Sequence, residues 1–256
     1  LMVFCAVWGM GASLVSLMLS KWMAKTFHKV QVVDSTHPNP QVRELVQKVT
    51  EIARRAQLPK TPEIGIYESP DLNAFATGPS KSNSLVAVST GLLQRMNEKE
   101  LEGVLAHEVA HIANGDMVTM TLIQGIVNAF AMFFSRILAN VVASNVDEKI
   151  RGIVHIGVVI LGDIAFTLLG SMVVNYFSRR REFRADAGGA RYSSRDSMVS
   201  ALQKLRMAYD MPIPPEEGQT ATLMISNRNK QGMARLFMTH PPLEERIEAL
   251  QRATRF

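Results

Sequence analysis

Three long apolar runs, Leu1 to Ser20, Met117 to Ala143 and Ile153 to Phe177, constrain this chain more than anything else in it. Inside a bilayer every backbone N–H and C=O must find its partner within the segment, so apolar runs of this length are expected to be helices. The first carries no charged side chain and is just long enough to cross. A cleaved signal peptide is its rival, yet no basic segment precedes the run and no small-residue cleavage site follows it. The chain opens at Leu1 rather than Met, so the natural protein is expected to begin further upstream. Lys21, Lys25, His28 and Lys29 follow the first run, and Arg179, Arg180, Arg181 and Arg184 follow the third, as at the cytoplasmic ends of membrane helices. Between the second and third runs Asp147 and Glu148 balance Lys149 and Arg151, so 144–152 is expected to be an outer loop. This clustering also accounts for the net charge of +5, and no basic stretch with interleaved aromatics points to nucleic acid. A single cysteine, Cys5, excludes an internal disulfide framework.

Polar residues inside the later runs are few and ordered. Thr121, Gln124, Asn128 and Ser135 keep to helical spacing, a stripe expected to face protein or a wet cavity. The alternative for this run is a long buried helix of a soluble protein, which Arg136 favours slightly. The third run holds one charge, Asp163, with His155 near one end. An intramembrane Asp costs about 2.5–3.5 kcal/mol on insertion scales, so a partner is expected, and Arg136 is the candidate.

The remaining segments are polar. Val42, Leu45, Val46, Val49, Ile52, Ala53 and Ala56 predict an amphipathic helix that ends at Leu58-Pro59. Glu63–Tyr67, Asn73–Thr77 and Ser84–Val88, punctuated by Pro70, Gly78 and Pro79, read as strands of a small sheet. Asn73, Ala74 and Phe75 are candidates for a sheet edge that pairs with an extended peptide, with an ordinary strand as the alternative. Helices are expected over Glu98–Ala113, over Ser197 to about Tyr209, and around Leu243, Ile247 and Leu250, with a Pro-rich loop at Met211–Pro215. The fold class is therefore mainly α with a small β-sheet, plus transmembrane helices.

Within Glu98–Ala113 stands His107-Glu108-Val109-Ala110-His111. Residues four apart share a helix face, so both imidazoles can reach one Zn2+ at about 2.0–2.1 Å while Glu108 faces its open position. A surface helix with two solvated histidines is the bland alternative. A catalytic zinc needs a third protein ligand. The best candidate is Glu182, with Asp186 one turn on to accept a hydrogen bond from a ligand His. Alternatively, both carboxylates merely neutralise neighbouring arginines. Asp116 lies five residues past His111, and Glu182 five past Phe177, so both metal-bearing segments run directly out of proposed spans and the zinc is expected close above the membrane surface.

The chain closely resembles the HtpX family of bacterial membrane zinc metalloproteases, relatives of the CAAX prenyl proteases. The resemblance is carried by 73–76, by 107–122, by Arg181-Glu182-Phe183-Arg184-Ala185-Asp186, and by Thr239-His240-Pro241-Pro242-Leu243-Glu244-Glu245-Arg246. It departs at the start, where the family's first hydrophobic span is absent. It implies an α+β zincin-like protease domain facing the cytoplasm of a bacterial inner membrane, interrupted by spans: 1–20 spanning, 21–116 and 178–256 as the two parts of the domain, 117–143 and 153–177 spanning. It implies one Zn2+ per chain on His107, His111 and Glu182, with Glu108 as the catalytic base. His240 and Arg246 become candidate oxyanion donors. The implied partners are the lipid bilayer, membrane-protein or unfolded polypeptide substrates, and membrane quality-control partners under stress, with no nucleic acid. A CAAX-type prenyl-protein protease, and a non-catalytic membrane protein with structural zinc, stay open as alternatives.

Overall fold

The structure is a computed structural model that describes residues 1–210 and 240–254. The Pro-rich loop expected at 211–215 lies outside the described residues. Among the described residues, three helices are long and apolar enough to cross a membrane: α1 (Met2–Phe27), α5 (Asp116–Ala143) and α6 (Glu148–Tyr192). Their large apolar side chains face outward, among them Trp8, Phe130, Ile153 and Leu169. That inversion of the usual burial rule is what a lipid-facing surface requires. Ser135 Oγ donates to Asp163 Oδ1, and Arg136 Nη1 stands 3.5 Å from the same oxygen. The single carboxylate of the third apolar run is thus paired with the arginine that the charge pattern singled out. The helix of the third run starts at Glu148, so 148–152 belong to α6 rather than to an irregular connection.

Apolar spacing and caps explain the other elements. In α2 (Pro40–Arg55) Asn39 caps the first turn by accepting from Gln41 N, and Pro40 occupies a position where no N–H is needed. Its buried face is Val42, Leu45, Val46, Val49, Ile52 and Ala53. Four strands, β1 (Gln31–Val33), β2 (Glu63–Tyr67), β3 (Ala74–Ser80) and β4 (Asn83–Ser89), form one sheet in the order β1-β2-β4-β3. β2 and β4 run parallel and the other pairs antiparallel. β3 is consequently an edge, with its register shifted between Thr77 and Ser80. Gly78 sits in that shift at φ +139, where a Cβ would meet Asn83 O at 2.3 Å.

After the short α3 (Thr90–Arg95) comes α4 (Glu98–Asn114), on which the domain is assembled. A capping box starts it: Asn97 Oδ1 accepts from Glu100 N at 3.0 Å and Glu100 Oε2 from Asn97 N at 2.9 Å. Gly115, at φ 71, ends it and turns the chain directly into α5. Leu105, Val109 and Ile112 pack with Val86 and Val88 of the sheet and Leu45, Val49 and Ile52 of α2. Across α4 lie α7 (Arg195–Asp210) and α8 (Leu243–Arg252), whose Met198, Leu202, Ile247 and Leu250 form a separate cluster with Ala190 of α6. Lys21 and Lys25 at the end of α1 pair with Glu63 of β2 at 2.8 and 2.6 Å, tying the first long helix to the sheet.

Candidate metal centre

α4 and α6 approach closely because the residues between them are small. A Cβ on Gly188 would lie 2.8 Å from Ala110 Cβ, and one on Gly189 3.2 Å from His107 N. This contact carries Glu182 to the two histidines. His107 Nε2 and His111 Nε2 are 3.1 Å apart, Glu182 Oε2 is 3.6 Å from the first, and Glu182 Oε1 is 3.5 Å from the second. Ligands at about 2.0–2.1 Å on the corners of a tetrahedron around zinc stand about 3.3–3.4 Å from one another, so the spacing fits one small cation. The burial pattern agrees. Glu182 is 2% exposed and its Oε1 makes no hydrogen bond among the described residues, a costly arrangement that a cation would relieve.

Each histidine is backed by a carboxylate on its other nitrogen. His107 Nδ1 lies 3.0 Å from Asp186 Oδ1, and His111 Nδ1 lies 2.7 Å from Asp116 Oδ2. Both carboxylates are in turn held by arginines. Arg246 grips Asp186 with Nε at 2.7 Å and Nη2 at 2.6 Å, and Arg184 Nη2 reaches Asp116 Oδ1 at 3.1 Å. Such pairs fix the ring that carries the metal-facing nitrogen. Burial works against charging His107, but the Asp186 and Glu182 carboxylates beside it prevail and push it up to about 9. Burial likewise opposes ionisation of Glu182, while hydrogen bonds with His107 and His240 hold it well below the ordinary carboxylate range. Asp186 follows the same logic, its burial outweighed by Arg246 and His107.

A cleft of about 420 Å3 opens beside these groups, lined by Asn73, Ala74, His107, Glu108, His240 and Arg246 among others. Glu108 thus shares a cavity with the donor cluster, and the start of edge strand β3 forms a wall of it. Phe75 does not join them. As the next residue of a strand it faces the opposite side, against His28 and Tyr67 at ring-centroid distances of 5.4 and 5.6 Å. His240 Nδ1 is 3.3 Å from Glu182 Oε2 and the side chain is 60% exposed, while Arg246 is buried against Asp186 with Nη1 3.3 Å from Glu182 Oε2. Asp116 is the functional neighbour that spacing alone did not single out. The signal for it was a carboxylate placed directly after a left-handed glycine, which folds it back toward the imidazole five residues earlier.

Comparison with known proteins agrees with the geometry. The model of peptidase family M48 matches residues 24–254. Protease HtpX of Shewanella loihica is 51% identical over 98% of this chain and 88% of its own length, and the protease HtpX homolog of Bacillus licheniformis 51% identical over 98% and 84%. Among solved structures, the crystal structure of S. mikatae Ste24p superposes with a TM-score of 0.69 at 17% identity. That match covers 97% of this chain and 58% of the Ste24p chain, and it bears on the fold alone. With a family model spanning nearly the whole chain and half its residues shared with HtpX proteases, the chain belongs to peptidase family M48 and is a zinc metallopeptidase of the HtpX type.

Proposed function

We propose that this chain is a membrane-bound endopeptidase that cleaves misfolded or damaged membrane polypeptides at the cytoplasmic face of a bacterial inner membrane, as part of quality control under stress. The observation that carries the reading is the convergence of three donor side chains, whose nearest donor atoms lie 3.1–3.6 Å apart, beside a cleft that Glu108 also lines. His107 Nε2, His111 Nε2 and one Glu182 oxygen would hold a single zinc ion, which when bound acidifies a water and polarises a peptide carbonyl. Glu108 accepts the proton from the attacking water on a carboxylate oxygen and delivers it to the departing amide nitrogen. Ala74, at the start of an edge strand, is placed to offer its backbone groups to an extended substrate, while the Asn73 backbone is engaged with Asp71 and Ser89 and only its side chain is available to the cleft. His240 is the better placed oxyanion donor, because it is exposed in the cleft, whereas the Arg246 guanidinium is occupied by Asp186. Arg246 acts through Asp186 on the orientation of His107.

The test is Glu108→Gln in purified protein, assayed on an unfolded polypeptide. Proteolysis is expected to fall at least about a thousandfold while zinc content stays near one per chain. Retained cleavage would refute the role of Glu108.

A further inference from the structure

Asp116, which holds His111, begins a ridge that runs the length of α5. Gln124, Asn128, Met132, Arg136 and Asn140 lie on it at four-residue steps, and residues four apart form one ridge of a helix. Two neighbouring ridges are taken by helices. On one, a Cβ at Gly9 of α1 would fall 2.6 Å from Ala129 N, and one at Gly125 3.1 Å from Met10 Cα. On the other, Gly162 and Gly170 of α6 sit against Ser135 and Val127. A third ridge, Ile126, Phe130 and Phe134, is apolar and exposed, as a lipid face should be. Successive residues are about 100° apart, so the polar ridge faces away from that lipid face and opens between α1 and α6.

Its side chains are only half satisfied. Gln124 Nε2 donates to Asn128 Oδ1 at 2.8 Å, Asn140 Oδ1 meets His155 Nε2 at 3.1 Å, and Arg136 meets Asp163. Among the described residues Gln124 Oε1, Asn128 Nδ2 and Asn140 Nδ2 make no hydrogen bond. At the outer end the ridge opens into two adjoining cavities of about 400 and 680 Å3, both lined by Asn140 and His155. Unmet carboxamide groups at bilayer depth are expensive against lipid and call for a polar partner.

We propose that this ridge is a docking groove for a transmembrane segment of the substrate, one that carries polar side chains within its span. The proposal rests on the endopeptidase reading and specifies its substrate class. Two features select this occupant. The unmet donors and acceptors complement Asn, Gln, Ser or Thr on a facing helix, and the cytoplasmic end of the same ridge is the Asp116 that backs the metal centre. An unassembled or misfolded membrane protein displays such side chains to lipid, where a correctly packed one buries them. Recognition of polar spans would thereby select damaged substrates.

The test uses the full chain in phospholipid vesicles with two substrates identical outside the span, one with an all-leucine span and one with two mid-span asparagines, and casein as a soluble control. KM for the asparagine substrate is expected to be about three- to tenfold lower. The double variant Gln124→Leu, Asn128→Leu should erase that difference and leave casein cleavage unchanged. A benzophenone side chain introduced at Met132 in the Glu108→Gln background should crosslink to the asparagine span. A preference that survives the double variant would overturn the proposal, as would crosslinks only to a second copy or to this chain's own residues. If the double variant loses casein cleavage as well, the crosslink decides. Failure of the wild type to cleave casein would overturn the endopeptidase reading itself.

Discussion

Asp116→Asn offers a sharp probe of the metal centre, because it removes one charge from a buried network and almost no volume. The wild-type carboxylate is 1% exposed and divides its oxygens, Oδ2 to His111 Nδ1 at 2.7 Å and Oδ1 to Arg184 Nη2 at 3.1 Å. An asparagine has one oxygen for two donors, so whichever way the amide turns, its NH2 group faces either His111 or Arg184. Loss of a charge-assisted hydrogen bond in so enclosed a place costs about 1.5–3 kcal/mol, with little relief from solvent. Metal affinity should accordingly fall about 10- to 100-fold, the range in which ligand-orienting carboxylates act. Arg184→Ala removes the 62% exposed outer member of the same chain, and screening by water should limit its effect to a few-fold. Competition with a fluorescent zinc chelator in detergent measures both, and circular dichroism checks that helicity is intact. Wild-type zinc affinity in folded Asp116→Asn protein would refute the orienting role, as would a larger loss in Arg184→Ala.

Other consequences follow from the same contacts. Arg246→Ala should destabilise the domain by about 3–5 kcal/mol, measured by denaturant unfolding, because it strands two buried carboxylates, Asp186 and Glu182. In metal-free protein the raised His107 value adds stability that is complete below its ordinary pKa of 6.5 and is lost as pH rises toward about 9, whereas the depressed Glu182 and Asp186 add stability above their ordinary values that is lost on acidification. Melting temperatures after chelation should therefore peak between about pH 5 and 6.5. Zinc binding displaces the His107 proton, so zinc affinity should rise with pH to about 9, and a flat profile would count against this linkage. Asp163→Ala, Arg136→Ala and the double variant should show non-additive losses of stability in detergent, while simple additivity would dissolve the Asp163–Arg136 pair.

What the sequence disclosed, and what it withheld, divides along physical lines. The two histidines one turn apart needed only helical periodicity, which also placed the start of that helix at Glu98. The three long helices were legible because hydrocarbon permits little else. Asp186 was placed near a histidine by its spacing from Glu182, and the structure shows it at His107. β1 escaped notice because three residues carry no period. The contact of Arg246 with Asp186 was hidden because it joins residues 60 apart in the chain, and no local pattern encodes which of several arginines the fold will bury. The orientation of Phe75 depended on α1 docking against the sheet, which brings Ala24 and Val30 to that face.

X-ray absorption at the zinc edge, on zinc-loaded Glu108→Gln protein and the same protein carrying Glu182→Ala, tests the centre most directly. The expected spectrum shows two imidazole nitrogens and oxygen donors at about 2.0–2.1 Å, with no sulfur, and the Glu182→Ala protein should lose its bound zinc. A Glu182→Ala protein that keeps stoichiometric zinc with an unchanged spectrum would contradict the account.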